Sequence, residues 1–382
     1  MKILVLGGAG AMGMVTTRDL AESPEVSEVV VGDASLNRIE EVKRWANSEK
    51  LSAKLVDVSS RRDLVKAMET VDAVANATPY HLNLHVMKAA MQAGKDMVDL
   101  GGVYYTTLKQ LKIHQAAKRR KVTIVLGCGL APGITDILAK YGADMMSRVD
   151  EVHIRYGDKN LEPVKYKWAF RTVLEEYTRG PVVYRNGQFK RLPPFSGKQI
   201  VDFPKPLGER PCCYGLYSGV ATLPRTIGKG VNMVDCAMSY TEEDEQRIRV
   251  LTEMGLTSTK PVRVGSVDVS PREFLLRCAP PPDVKVKDVA GVTVEVKGEE
   301  QRERVSRTFT VVHGYQEKYG VSALAYLTGV PLSIASQMLA RGDIREKGVL
   351  PPELAIKPQP FIAQLARRGV KIHETTERAR AL

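Results

Sequence analysis

The side chains and turns able to do chemistry fall into a few short stretches. Gly8, Gly10 and Gly13 form a G-x-G-x-x-G turn, and Asp33 follows about 20 residues later. Gly8 allows a tight turn, Gly10 lets backbone N–H groups approach a pyrophosphate, and Gly13 lets a helix lie against a sheet. With Ala11 and Met12 between them, the start of that helix presents unpaired N–H groups to an anion. Asp33 can accept both ribose hydroxyls and repels a 2′-phosphate. The turn therefore predicts a dinucleotide site that favours NAD over NADP, a preference softened by Arg38. Further along, Asn76, Ala77, Thr78, Pro79 and Tyr80 follow one apolar run, Asp99 ends another, and Cys128 and Gly129 follow a third. Ligands of open α/β sheets collect beyond the carboxyl ends of strands, which puts these residues near the reactive end of the cofactor and Asp57 near its adenine. His81 and His85 are four apart on the next helix. No third ligand is evident, so they predict ordinary helix histidines and no metal site.

The elements needed to position these residues can be read from the apolar pattern. Runs at 3–6, 29–31, 53–58, 73–77, 96–100 and 122–126 suit strands buried on both faces. They alternate with helical periodicity at 14–21, 36–48, 62–70, 84–92, 108–119 and 134–146, which predicts an α/β fold with a doubly wound parallel sheet, a Rossmann domain. The grammar then changes. Strand patterns at 151–156, 198–203, 231–240, 291–297 and 305–313, and a hairpin at 182–192 built on Asn186-Gly187, lack regular crossover helices. With helices at 242–256 and 271–278 they predict a mixed α+β domain for substrate binding and dimerisation. The APPPD run at 279–283 reads as a turn or linker. Helices at 322–328 and 332–340, parted by Gly329-Val-Pro331, a turn at 348–352 and a helix at 361–368 are too few for a domain. They are expected to return to the first one, with the tail after 375 solvated. The expected division is thus 1–133 with 322–382, and 134–321.

Composition excludes several classes. At 382 residues core burial is not limiting and two domains are expected. The net charge of +12 is spread along the chain without a nucleic-acid motif, and aromatics are only 6%, so no nucleic-acid partner is expected. No run of 18 apolar residues and no leader-like start predict neither a membrane span nor a signal peptide. Five cysteines without metal-type spacing suit a reducing, cytoplasmic setting.

Five stretches point one way together: GGAGAMG at 7–13, NATPYHLN at 76–83, VDLGG at 98–102, GCGLAPG at 127–133 and AYLTGVPLSIASQMLARGDIREKGVLPPE at 325–353. The chain resembles the saccharopine dehydrogenase family, and within it the lysine 6-dehydrogenases, over nearly its full length. The resemblance implies an NAD(P)-dependent enzyme that oxidises a carbon bearing an amine nitrogen in an amino acid of lysine metabolism. It also implies a two-domain homodimer whose second domain covers the cofactor. A polyamine-pathway reductase, or a nucleotide-bound regulatory protein without turnover, would fit the same motifs. The stretches CCYGLYSGVATLPRTIG at 212–228 and TEEDE at 241–245 depart from the family pattern, so the resemblance bears on reaction type more than on substrate.

That reaction needs groups tuned to move protons near the working pH. Asp99, ending a strand before Gly101-Gly102, is expected to face the cleft and to hold a substrate ammonium or act as base. Tyr80 or His81 could relay a proton to the imine nitrogen or to water. Cys128 is expected to pack against the nicotinamide, while the backbone from Gly129 onward binds cofactor or a substrate carboxylate. Arg171, after Trp168 and Phe170, and Arg225 are the candidates to grip a carboxylate.

Overall fold

Apolar runs bounded by glycine turns become the strands of the first lobe. The computed structural model describes residues 1–163, 170–280 and 282–379; Trp168, and Pro281 of the proline run, lie outside them. The strands are β1 (Lys2–Leu6), β2 (Glu28–Asp33), β3 (Leu51–Leu55), β4 (Ala73–Asn76), β5 (Met97–Asp99) and β6 (Thr123–Val125). They run parallel in the order β6-β5-β4-β1-β2-β3. Ile3 to Leu6 are fully buried, as a strand covered by helices on both faces requires. Strand order reverses between β1 and β4, and a crevice opens at their carboxyl ends.

The second lobe is built on a nine-stranded mixed sheet. Its strands begin with β7 (Arg148–Asn160), β8 (Val182–Arg185), β9 (Gln188–Arg191), β10 (Gln199–Phe203), β11 (Gly208–Tyr214) and β12 (Met233–Ser239). A separate ribbon, β13 (Val262–Val264) with β14 (Val267–Val269), precedes the long pair β15 (Asp288–Glu300) and β16 (Glu303–Gly314). Asn186 and Gly187 both have positive φ, and Arg185 pairs with Gln188, so the two-residue turn read from the sequence closes β8 on β9. Alternate residues of β7, Val152, Ile154 and Tyr156, are buried and share one core with first-lobe residues such as Val15 and Leu324.

The chain after residue 322 departs from its sequence reading in three places. The stretch at 348–352, read as a turn, contributes β17 (Gly348–Leu350), which extends the first sheet beside β6. The tail, expected to be solvated within the first domain, contributes β18 (His373–Ala379), paired antiparallel with β16 in the second sheet. The free edge of β16 offers a row of unpaired backbone groups, and β18 satisfies them although its own side chains are exposed. The two expected helices are one, Ala323–Ala340, running unbroken through Gly329 and Pro331.

Burial explains the unbroken helix. An interior proline costs about 3 kcal/mol, but Leu327, Val330, Leu332 and Ile334 around it are buried, each stabilising by roughly 1.5–3 kcal/mol. Gly329 sits against the first helix, Gly13–Glu22, where a Cβ would lie 2.7 Å from Val15 Cβ and 2.8 Å from the Met12 carbonyl oxygen. Thr16 Oγ1 donates to the Gly329 carbonyl at 2.8 Å. This helix is long and apolar enough to cross a membrane, yet nearly all of it is buried, packed against the first helix and against β15.

Candidate active site

The crevice at the switch point continues between the lobes as a cleft of ≈ 520 Å³. On the first-lobe side it is lined by Gly10, Ala11, Met12 and Asp33, then by Ala77, Thr78, Pro79 and Tyr80 after β4, and by Gly129 after β6. On the other side stand Tyr156 of β7, Met238 of β12, and Thr172 and Glu176 of the helix Phe170–Thr178.

The glycine turn fits a dinucleotide. A Cβ on Gly13 would lie 2.0 Å from the Gly7 carbonyl oxygen, so only glycine permits the helix to start so close to the strand. No side chain caps that helix, and Gly10, Ala11 and Met12, immediately before it, line the cleft. Asp33 Oδ2 accepts from Ala9 N at 3.3 Å, and Arg38 Nη2 donates to the Ala9 carbonyl at 2.8 Å. Ala11 and Met12 would hold the pyrophosphate, and Asp33 with Arg38 would meet the ribose. Gly8 and Gly13 act beneath this surface, shaping the turn without lining the cleft.

Several expected site residues do structural work instead. Asp99 does not face the cleft: it is fully buried, and Oδ1 accepts from Gly101 N at 2.7 Å and Gly127 N at 2.9 Å. Its Oδ2 accepts from Gln110 Nε2 at 2.7 Å. Burial pushes its carboxyl up to about 6, against those three donors. Asp99 therefore ties the loops after β5 and β6 together. Asn76 is likewise buried; its Oδ1 accepts from Thr78 N and Oγ1, and its Nδ2 donates to Asn83 Oδ1 at 3.1 Å, which orders the loop that does line the cleft. Cys128 is fully buried below the surface, its thiol pushed up by burial and then by Asp99. Asp57 is exposed and accepts from Ser59 N and Oγ at 2.8 and 2.7 Å, while its neighbour Val58 lines the cleft.

The arginines chosen for a carboxylate are also otherwise engaged. Arg171 makes two parallel bonds to Glu273, at 2.9 and 2.7 Å. Arg225 lies over the Phe189 ring, 5.1 Å from its centroid. Neither lines the cleft. His81 is exposed, in edge contact with Tyr80, and its imidazole is pushed down by burial and by Arg171. Among the described residues no group of three His, Cys, Asp or Glu could hold a metal.

Two features lay outside the sequence reading. Tyr217, in the CCYGLYSG stretch, donates to Asp136 Oδ2 at 2.5 Å, and the same oxygen accepts from Gly133 N at 3.0 Å. Through a backbone bridge to Val103, Tyr217 also fixes the second lobe to the cleft wall. Glu176 is the other: a cleft-lining carboxyl that burial pushes up to about 8. Its signal was the Glu175-Glu176 pair inside an amphipathic helix, whose two acids must point to different faces.

The comparisons agree with this architecture. The family model described as saccharopine dehydrogenase NADP binding domain matches residues 3–125, and that described as saccharopine dehydrogenase C-terminal domain matches 129–370. Carboxyaminopropylagmatine dehydrogenase of Synechocystis sp. is 22% identical over 396 residues, covering 98% of this chain and 97% of the relative. Carboxynorspermidine synthase of Vibrio cholerae is 26% identical over 408 residues, covering 97% and 96%. Among solved structures, apo saccharopine dehydrogenase (L-Glu forming) from Saccharomyces cerevisiae has the same fold, with a TM-score of 0.74 at 17% identity, covering 98% of this chain and 99% of that one.

Proposed function

The chain belongs to the saccharopine dehydrogenase family, and from that premise we propose that it interconverts a secondary amine bearing an amino-acid carboxylate with the matching amine and aldehyde. It is an NAD(P)-dependent oxidoreductase acting on CH–NH donors. The substrates proposed are carboxylated polyamines, of the kind named in the two relatives that span nearly the whole chain, rather than free lysine. The observation that carries this reading is the continuity of one cleft, from the glycine turn and Asp33 to the second-lobe wall of Tyr156, Met238 and Glu176. A nucleotide and an organic amine would lie end to end in it.

The nicotinamide, when bound, supplies or takes up the hydride. The protein orients the substrate and excludes water with Tyr156, Met238 and Leu324. Burial, and then the charge of Glu175, push the Tyr80 phenol well up, so its hydroxyl stays protonated and donates rather than acting as base. In the oxidative direction the C–H carbon loses a hydride and the nitrogen a proton, and water then adds to the imine and releases a free amine and an aldehyde. The motif stretch at 325–353 favours a second reading, a substrate of the lysine–saccharopine type. The proposal extends to a homodimer in a cytoplasmic setting.

The test is formation of reduced NAD or NADP by purified protein offered carboxyaminopropylagmatine, carboxynorspermidine, saccharopine or lysine. Turnover of either of the first two is expected. Turnover confined to lysine or saccharopine would transfer the conclusion to the second reading, and turnover of none would remove the reaction.

A further inference from the structure

We propose that Glu176 determines substrate specificity: its carboxylate holds a positively charged nitrogen, an ammonium or guanidinium, on the part of the substrate that lies against the second lobe. The inference rests on the reading above, that an amine substrate occupies the cleft beside NAD(P).

The helix Phe170–Thr178 sorts its residues by face. Phe170 and Leu174, four apart, are buried with Ile248. Thr172 and Glu176, also four apart, line the cleft. Glu175 points elsewhere, 2.8 Å from Arg272 Nη2 and 2.7 Å from Arg179 Nε. Arg171 is taken up by Glu273. Each arginine near this wall therefore already has an acid, whereas Glu176 has no hydrogen-bond or ion-pair partner among the described residues.

Its surroundings make that lack of a partner consequential. Met238, Tyr156 and Pro282 share the wall with it, and a carboxylate among such groups is unfavourable until a cation faces it. Among the described cleft residues the only basic side chain is Arg38, at the nucleotide end and bonded to the Ala9 carbonyl. Glu176 is thus the only acidic side chain among the described residues that line the substrate end, and it carries a negative charge there once ionised. It attracts an amine or guanidinium tail and repels a tail that ends in a carboxylate.

The ionisable groups packed around Glu176 do not compete for this role. Tyr156, Tyr177, Cys236 and Cys213 are all pushed up by burial, Cys213 to about 12, and stay neutral near pH 8. Asp158 accepts from Ser239 Oγ at 2.8 Å. Burial pushes the Glu176 carboxyl up to about 8 in the free protein, and a cation bound beside it would favour the ionised form.

The full-length protein tests this with Glu176→Gln and two substrates of equal length, carboxyaminopropylagmatine and its analogue with the guanidinium replaced by a neutral urea. For the cationic substrate, KM should rise about 10- to 100-fold in the variant with kcat held within about 3-fold. KM for the neutral analogue should not change. Wild-type kcat/KM for the cationic substrate should rise as pH passes through about 8, and the variant should lose that step. Unchanged KM for both substrates overturns the proposal, and so does a loss confined to kcat, which would mark an acid–base group instead. If wild type turns over no amine, the reaction class fails but this inference is still tested by calorimetry with agmatine on NAD(P)H-loaded protein. Binding by wild type that weakens in Glu176→Gln supports it, and equal or absent binding overturns it. Unchanged NAD(P)H affinity shows that the variant is folded.

Discussion

Asp99 lies buried behind the first-lobe wall of the cleft and Glu176 lines the second-lobe wall, and burial pushes both carboxyls up, to about 6 and about 8. They differ in what already touches them. Asp99 accepts three N–H bonds, from two loop backbones and Gln110, and has little capacity left. Glu176 accepts none among the described residues and borders open space. An acid at the end of a β-strand looked suited to catalysis, yet its bonds make it a staple between loops. The acid on the helix of the second lobe is the one left to meet a ligand. A perturbed carboxyl therefore indicates function only after its partners have been counted.

The comparison predicts opposite consequences for stability and for KM. The largest effect should come from Asp99→Ala, which strands three buried donors and should destabilise the protein by about 5 kcal/mol in urea unfolding. Asp99→Asn should lose less and, once folded, keep its kcat. If folded Asp99→Asn instead lost kcat by two orders of magnitude or so at unchanged stability, Asp99 would be a catalytic residue and the contrast would fail.

Neighbouring acids sharpen the point. Glu175→Gln removes the partner of Arg272, a buried guanidinium, and should cost about 3 kcal/mol. Glu176→Gln, one residue away, removes no bond and should not destabilise at pH 7. Paired denaturation curves check this, and equal losses in the two variants would mean that Glu176 is structural as well.

Much of the first lobe was legible because its signals are local. A strand buried on both faces reads as an apolar run, and the glycine turn has a fixed spacing before Asp33. The turn at Asn186-Gly187 was legible for the same reason. What escaped depends on partners distant in sequence. Gly329 and Pro331 read as a helix break because their local propensity is poor, and only the approach of Val15 and the burial around them keep the helix whole. Asp99 could not be separated from a cleft acid without knowing that Gly127 and Gln110 reach it. Glu176 was hidden because the second lobe's walls come from β7, β12 and a helix whose packing no periodicity reveals.

Stability against pH gives an effect with a definite sign. The Glu176 carboxyl is raised in the folded protein, to about 8 from an ordinary 4.5. Between those values the unfolded chain ionises while the folded one resists, so the native state binds more protons and wild-type stability falls as pH rises. Below about 4.5 and above about 8 the difference between wild type and Glu176→Gln should be flat, with wild type less stable on the alkaline side. Urea midpoints across that range measure it, and parallel curves would show that Glu176 is already solvated or paired in the free protein.

The smallest effect should belong to Arg171, one of the two arginines the sequence offered for a substrate carboxylate. Its two bonds to Glu273 are well made, but Glu273 is more than half exposed and the pair lies outside the cleft. Exposed pairs of this kind stabilise by about 0–1 kcal/mol. Arg171→Ala should therefore shift stability by less than about 1 kcal/mol and leave KM for a carboxylated amine within about 2-fold. A rise in KM of an order of magnitude or more would mean that Arg171 exchanges Glu273 for the substrate on binding. The wall of the Phe170–Thr178 helix would then present a cation as well as the carboxylate of Glu176, and selectivity would rest on the spacing between the two charges rather than on a single negative one.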